Sequence, residues 1–124
     1  MGLKCYALGE ISDNEYDLLF KGGAAGLSTF MSYFILTAIA SRDKKLAAKI
    51  MKEYYGKMLD LGATTFWEDF DVSWAENAEK IDVLPVEGKV DIHGNFGAFC
   101  YVGYRHSLCH GWSSGVIKFI EENC

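Results

Sequence analysis

Ser28-Thr29-Phe30-Met31-Ser32-Tyr33-Phe34-Ile35-Leu36-Thr37-Ala38-Ile39-Ala40-Ser41 is the stretch on which the fold turns. It lies in a run without charge that extends from Gly22 to Ser41. Phe30, Met31, Phe34, Ile35, Ala38 and Ile39 recur at helical spacing, and Ser28 is placed to cap the helix they predict. A bilayer span needs about 20 apolar residues. Here Gly22, Gly23 and Gly26 crowd the start, and Ser28, Thr29, Ser32, Thr37 and Ser41 dilute the rest. The solidly apolar part, Phe30 to Ala40, is about half a span at 1.5 Å per residue. Apolar on nearly every side yet too short for lipid, it reads as a buried core helix with no membrane contact.

Working outward, Arg42-Asp43 breaks the apolar run and a second pattern begins. Leu46, Ala47, Ile50, Met51, Tyr54 and Met58 fall on one helical face, with Lys44, Lys45, Lys49 and Lys52 on the other. A buried helix joined by a short turn to an amphipathic one predicts an αα-hairpin. Upstream, Ser12-Asp13-Asn14-Glu15 has the capping-box form and opens a short helix from Tyr16 to Phe20, stopped by Gly22-Gly23. Downstream, Ser73-Trp74-Ala75-Glu76 offers a second capping box for a helix toward Lys80. Pro85 and the glycines at 88, 94, 97 and 103 mark a long irregular connection. Ser113 or Ser114 caps a last helix carrying Val116, Ile117, Phe119 and Ile120. The expected fold class is mainly α: αα-hairpins, with a long aromatic-rich loop before the last helix.

At 124 residues the chain is one domain or a piece of one. Twelve Lys+Arg against 17 Asp+Glu give a net charge of −5, which argues against nucleic acid, because phosphate neutralisation needs a basic stripe. With 50% hydrophobic and 15% aromatic residues, disorder is excluded as well. Cys5, Cys100, Cys109 and Cys124 show no CxxC pairing, and free thiols in a reducing compartment are expected. Met1 is not followed by a basic flank and a long apolar segment, so no signal peptide is read and the cytoplasm is the expected location.

Two constellations carry chemistry. Thr64-Thr65-Phe66-Trp67-Glu68-Asp69-Phe70-Asp71 interleaves carboxylates with aromatics just beyond Gly62. A carboxylate against an indole face is partly desolvated, which suits acid or base work, and aromatic faces suit the C–H face of a sugar ring. The plainer reading is an acidic helix start packed by aromatics. His106-Ser107-Leu108-Cys109-His110-Gly111-Trp112 brings two imidazoles, a thiol and an indole together. Its spacing matches no zinc site, since adjacent Cys109 and His110 make joint tetrahedral coordination awkward, and nothing marks a thiol as an activated nucleophile. A histidine that orients a ligand or a carboxylate is the better functional reading, with a structural role open for His106 and His93. The glycines at 22, 23 and 26 lack the GK[ST] ending of a phosphate loop. No metal and no cofactor are expected.

Gly62-Ala63-Thr64-Thr65-Phe66-Trp67-Glu68, followed by Ser107-Leu108-Cys109-His110-Gly111-Trp112-Ser113-Ser114-Gly115, resembles the α-L-rhamnosidases of glycoside hydrolase family 78. Leu27-Ser28-Thr29-Phe30-Met31 and Tyr54-Tyr55-Gly56-Lys57-Met58-Leu59 fit too, so the resemblance covers most of the chain from Gly22 onward. It implies that residues 1–124 are a single partial domain, the C-terminal segment of a six-hairpin, (α/α)6-barrel catalytic domain. It further implies that Glu68 is the general base that activates water for inverting hydrolysis and that His110 contacts the sugar. Trp67 and Trp112 are assigned as walls of the sugar site on their chemistry.

The family's general acid has no counterpart here: Asp69, Asp71, Glu76 and Asp91 are nearby carboxylates, yet none matches it. The expected function is therefore that of an α-L-rhamnosidase-like glycoside hydrolase fragment, inactive alone, acting on a rhamnose-containing carbohydrate. The alternative is a non-catalytic carbohydrate-binding or self-assembling remnant. Because the Phe30–Ala40 helix lacks its barrel neighbours, it is expected to expose a large apolar patch. A homo-oligomer or the missing upstream barrel fragment would cover it.

Overall fold

A computed structural model describes Lys4, residues 9–94 and residues 107–124. Helix α1, Asp13–Lys21, begins at the first capping box: the Glu15 amide donates to the Ser12 hydroxyl, and the Ser12 amide donates to Glu15 Oε2 at 3.0 Å. It ends at Gly22, as the paired glycines predict. Residues 28–31 do not enter the next helix directly. Ser28 closes a turn, accepting the Met31 amide on its hydroxyl and the Ser32 amide on its carbonyl, and helix α2 starts later, at Ser32–Ala40.

Helix α3, Lys44–Asp60, is capped by Asp43, whose carboxylate accepts the Leu46 amide at 2.9 Å. Ala47, Ile50, Met51, Tyr54 and Met58 are buried, which is the face the sequence marks. The α2–α3 pair is an antiparallel helical hairpin. Ser32, at the start of α2, shares a 2.6 Å hydrogen bond with the Tyr55 hydroxyl near the end of α3. At its turn, Arg42 reaches back to α1, pairing with Asp13 at 2.6 Å, donating to the Ile11 carbonyl and lying over the Tyr16 ring.

Beyond α3 the backbone turns at Gly62, whose φ of 93° is a left-handed conformation that a side chain would strain. The second capping box is not used. Residues Val72–Asn77 form a 3-10 turn capped by Asp71, which accepts both the amide and the hydroxyl of Ser73. A carboxylate outcompetes a hydroxyl for these donors, so the cap falls two residues earlier than expected. A lone parallel bridge, Ala78 to Val90, is the extent of β pairing among the described residues.

Helix α4, Gly115–Asn123, follows a 3-10 turn at Gly111–Ser114. Neither serine caps it through its side chain. The Ser114 hydroxyl donates to the Gly111 carbonyl, and Ser113 is buried and committed elsewhere. Gly115 lets α4 lie against α2: a Cβ there would sit 2.8 Å from that of Tyr33.

The core is continuous across these elements. Leu36 and Ile39 of α2, Ile50 and Tyr54 of α3, Trp67 and Phe70 beyond it, and Phe119 of α4 are all sealed from water. The inner helix is covered within the chain, because α1, α3 and α4 all pack on it. The apolar patch expected over Phe30–Ala40 is thus not exposed, apart from half-exposed Phe30. The exposed apolar surface lies instead on α1, on residues 83–86 and along α3 and α4. No described helix is long and apolar enough to cross a membrane.

Candidate functional site

Residues 65–68, irregular backbone a few residues beyond α3, run past residues 107–110 in the opposite direction. The Glu68 amide donates to the Ser107 carbonyl at 2.8 Å, and the Ser107 amide donates to Glu68 Oε2 at 2.7 Å. Further along, the His110 amide donates to the Phe66 carbonyl at 2.6 Å, and the Thr65 hydroxyl to the Leu108 carbonyl. The Ser113 hydroxyl, fully buried, donates to the Trp67 carbonyl. The two motifs singled out in the sequence, some forty residues apart, are therefore stitched together bond by bond.

Glu68 is at the centre of the stitching and is half-buried. Its carbonyl accepts both the Trp112 indole N–H, at 2.6 Å, and the Thr29 hydroxyl. Oε2 of its carboxylate is held by the Ser107 amide, while Oε1 has no hydrogen-bond donor among the described residues. One oxygen of the carboxylate is thereby fixed, and a carboxylate oxygen accepts from an amide, water or a hydroxyl alike.

Trp112 stands at the surface, 39% exposed, with its N–H anchored and its ring flanked on two sides. The His110 ring centroid is 4.3 Å from it at an interplanar angle of 50°, and Phe30 meets it edge-on at 6.0 Å. Ser28, Thr29, Phe30 and Trp112 line a small cavity of about 150 Å³. The wall of that space is mostly the indole and the Phe30 ring, because the Thr29 hydroxyl is buried on the Glu68 carbonyl and the Ser28 hydroxyl accepts the Met31 amide. A flat aromatic wall of this kind suits the apolar face of a ring.

Trp67 belongs elsewhere. It is fully buried and packs edge-on against Phe70 at 5.5 Å, so it has no face open to a ligand. Phe70 also meets Tyr54 and Trp74, and its carbonyl accepts the Tyr54 hydroxyl at 2.6 Å. Among the described aromatics after Gly62, Trp67, Phe70 and Phe119 are therefore core. Among the described residues the buried Trp67 indole N–H has no hydrogen-bond partner.

The three nearby aspartates accept from backbone amides. Asp69 is buried and accepts the Phe70 amide, Asp71 caps the following turn, and Asp91 accepts the His93 amide at 3.0 Å. Glu76 is exposed. Cys109 and Cys124 are free and exposed. Among the described residues no three His, Cys, Asp or Glu side chains gather as a metal site. His106, Cys5, Cys100, Phe96, Phe99, Tyr101 and Tyr104 lie outside the described residues.

Three contributors escaped the sequence reading: Thr29, Phe30 and Ser107. By spacing Phe30 falls on the α2 stripe, but the Ser28 turn sets it ahead of the helix and beside Trp112. A Ser cap followed by a turn rather than a helix was the available signal. Ser107 acts through its backbone, which side-chain identity does not reveal. Compared with known protein families, with curated proteins and with solved structures, the chain matches none.

Proposed function

We propose that this chain is an α-L-rhamnosidase-like glycoside hydrolase segment, in which Glu68 activates water and His110 and Trp112 hold the sugar. The observation that supports the reading is the stitching of residues 65–68 to residues 107–113, which joins the carboxylate motif to the imidazole–indole pair. The ligand is a terminal rhamnose of a larger carbohydrate, resting on Trp112 with its hydroxyls toward His110. Trp67 supports the site from the core.

Inverting hydrolysis needs an acid and a base about 6.5–9.5 Å apart. Asp69, Asp71 and Asp91 are engaged by local amides, so the proton donor in this reading comes from other hairpins of an (α/α)6 barrel. The chain on its own binds sugar and turns over poorly. Exposed thiols at Cys109 and Cys124 fit a reducing compartment such as the cytoplasm. The engaged acids also favour a second reading, a carbohydrate-binding remnant without turnover.

Titration with L-rhamnose, followed by tryptophan fluorescence, tests the ligand. A saturable change at millimolar sugar that Trp112→Phe abolishes is the expected result. No response would overturn the carbohydrate reading. Hydrolysis of an activated aryl rhamnoside, lost in Glu68→Gln, would separate the enzyme from the remnant.

A further inference from the structure

An apolar groove lies between α3, α4 and residues 63–66. It encloses about 510 Å³, floored by Met51, Met58 and Val116 and rimmed by Leu59, Ile117 and Ile120. Those three rim residues are 68%, 48% and 43% exposed, a contiguous run of aliphatic surface facing water.

Gly56 lies in the middle of α3 on this groove, and a Cβ built there meets nothing within 4 Å. Neither the fold of the chain nor its backbone conformation asks for glycine at this position, and glycine in a helix interior costs about 1 kcal/mol relative to alanine. A glycine unexplained within the monomer, facing an open apolar groove, marks a place where another backbone comes close.

The charges say whose backbone. Lys52 stands on the α3 rim, and Glu121 shares the outer face of α4 with Ile117 and Ile120 at i, i+3 and i+4 spacing. Neither makes a salt bridge among the described residues, and both are exposed. The α4 ridge, two isoleucines and a carboxylate, is thus the complement of the groove beside it, which offers aliphatic walls, a glycine gap and an ammonium. A ridge and a groove on one face satisfy each other only across a two-fold axis.

We propose that this face is the interface of a symmetric homodimer, in which α4 of each copy seats Ile117 and Ile120 over Gly56 of the other and pairs Glu121 with Lys52. The proposal does not rest on the glycosidase reading. The pairing fixes the register, and the aliphatic contact supplies the driving force.

Sedimentation equilibrium of the full chain is the test. A reversible monomer–dimer equilibrium is expected. Gly56→Arg, whose side chain fills the groove, should weaken dimerisation by about tenfold or more with an unchanged far-ultraviolet circular dichroism spectrum. Leu59→Glu serves as a second groove variant should the arginine perturb the helix. Lys52→Glu should weaken the dimer several-fold, and adding Glu121→Lys should restore it. A chain that stays monomeric to about 500 μM, or a dimer indifferent to the groove variants and the charge reversal alike, overturns the proposal.

Discussion

Glu68 and Ser107 hold each other twice, once through paired backbone groups at 2.8 Å and once through the Glu68 carboxylate and the Ser107 amide at 2.7 Å. The second bond is charge-assisted and half-buried, which places it among the stronger contacts in the molecule. A carboxylate held in this way is both a positioned oxygen pair and a tether for the segment carrying His110 and Trp112.

Glu68→Ala should therefore destabilise the chain even without any ligand, by about 1–2 kcal/mol, the usual cost of a lost charge-assisted bond. Glu68→Gln keeps a carbonyl acceptor for the Ser107 amide and should cost less than half of that. Chemical denaturation of the two variants checks the order. Equal costs would mean that the carboxylate bond carries no stability.

Trp67 and Trp112 share a residue type and differ in role. Trp67→Ala removes a fully buried indole and should cost about 3–5 kcal/mol. Trp112→Phe gives up one hydrogen bond to the Glu68 carbonyl at an exposed site and should cost about 1 kcal/mol or less. Thermal melts of both variants test the contrast.

Much of the fold was legible because it rests on local rules. The Ser12 capping box, the stop at Gly22 and the α3 face from Ala47 to Met58 all follow from spacing and turn chemistry. The site was legible only in part. Glu68, His110 and Trp112 stand together, but Trp67 alternates inward along the same extended stretch, and an indole reads identically whether it faces water or Phe70. The cap at Asp71 was missed because two candidate caps two residues apart compete, and only the structure shows Ser73 serving as donor.

Ser113→Ala is nearly isosteric, yet it strips the buried Trp67 carbonyl of the Ser113 hydroxyl. An orphaned buried acceptor costs about 1–3 kcal/mol. The variant should melt lower, and amide exchange should quicken at His110, the nearest stitch. An unchanged melt would show that the Trp67 carbonyl finds another donor.

Two buried phenols and one paired carboxylate make stability depend on pH at the two ends. Burial pushes the Tyr55 phenol up to about 12, against a smaller opposing effect of its Ser32 hydrogen bond, and burial raises Tyr54 further. The folded state thus favours the neutral phenols, so their stabilisation is whole below about pH 10 and is lost as pH rises through 12. At the other end, hydrogen bonds from Lys4 and then Ser12 lower Glu15 from 4.5 to about 2. Its contribution is present above pH 4.5 and fades as pH falls toward 2. Denaturation midpoints across pH should fall at both ends, with Tyr55→Phe reducing the alkaline loss and Glu15→Gln the acid one.

Two-dimensional amide and indole NMR during titration with L-rhamnose reads the central claim residue by residue. The Trp112 indole N–H and the Ser107 and His110 amides should move together and saturate at millimolar sugar, while the Trp67 indole stays still. A spectrum unmoved by rhamnose, or shifts confined to residues away from Glu68 and Trp112, would contradict the account.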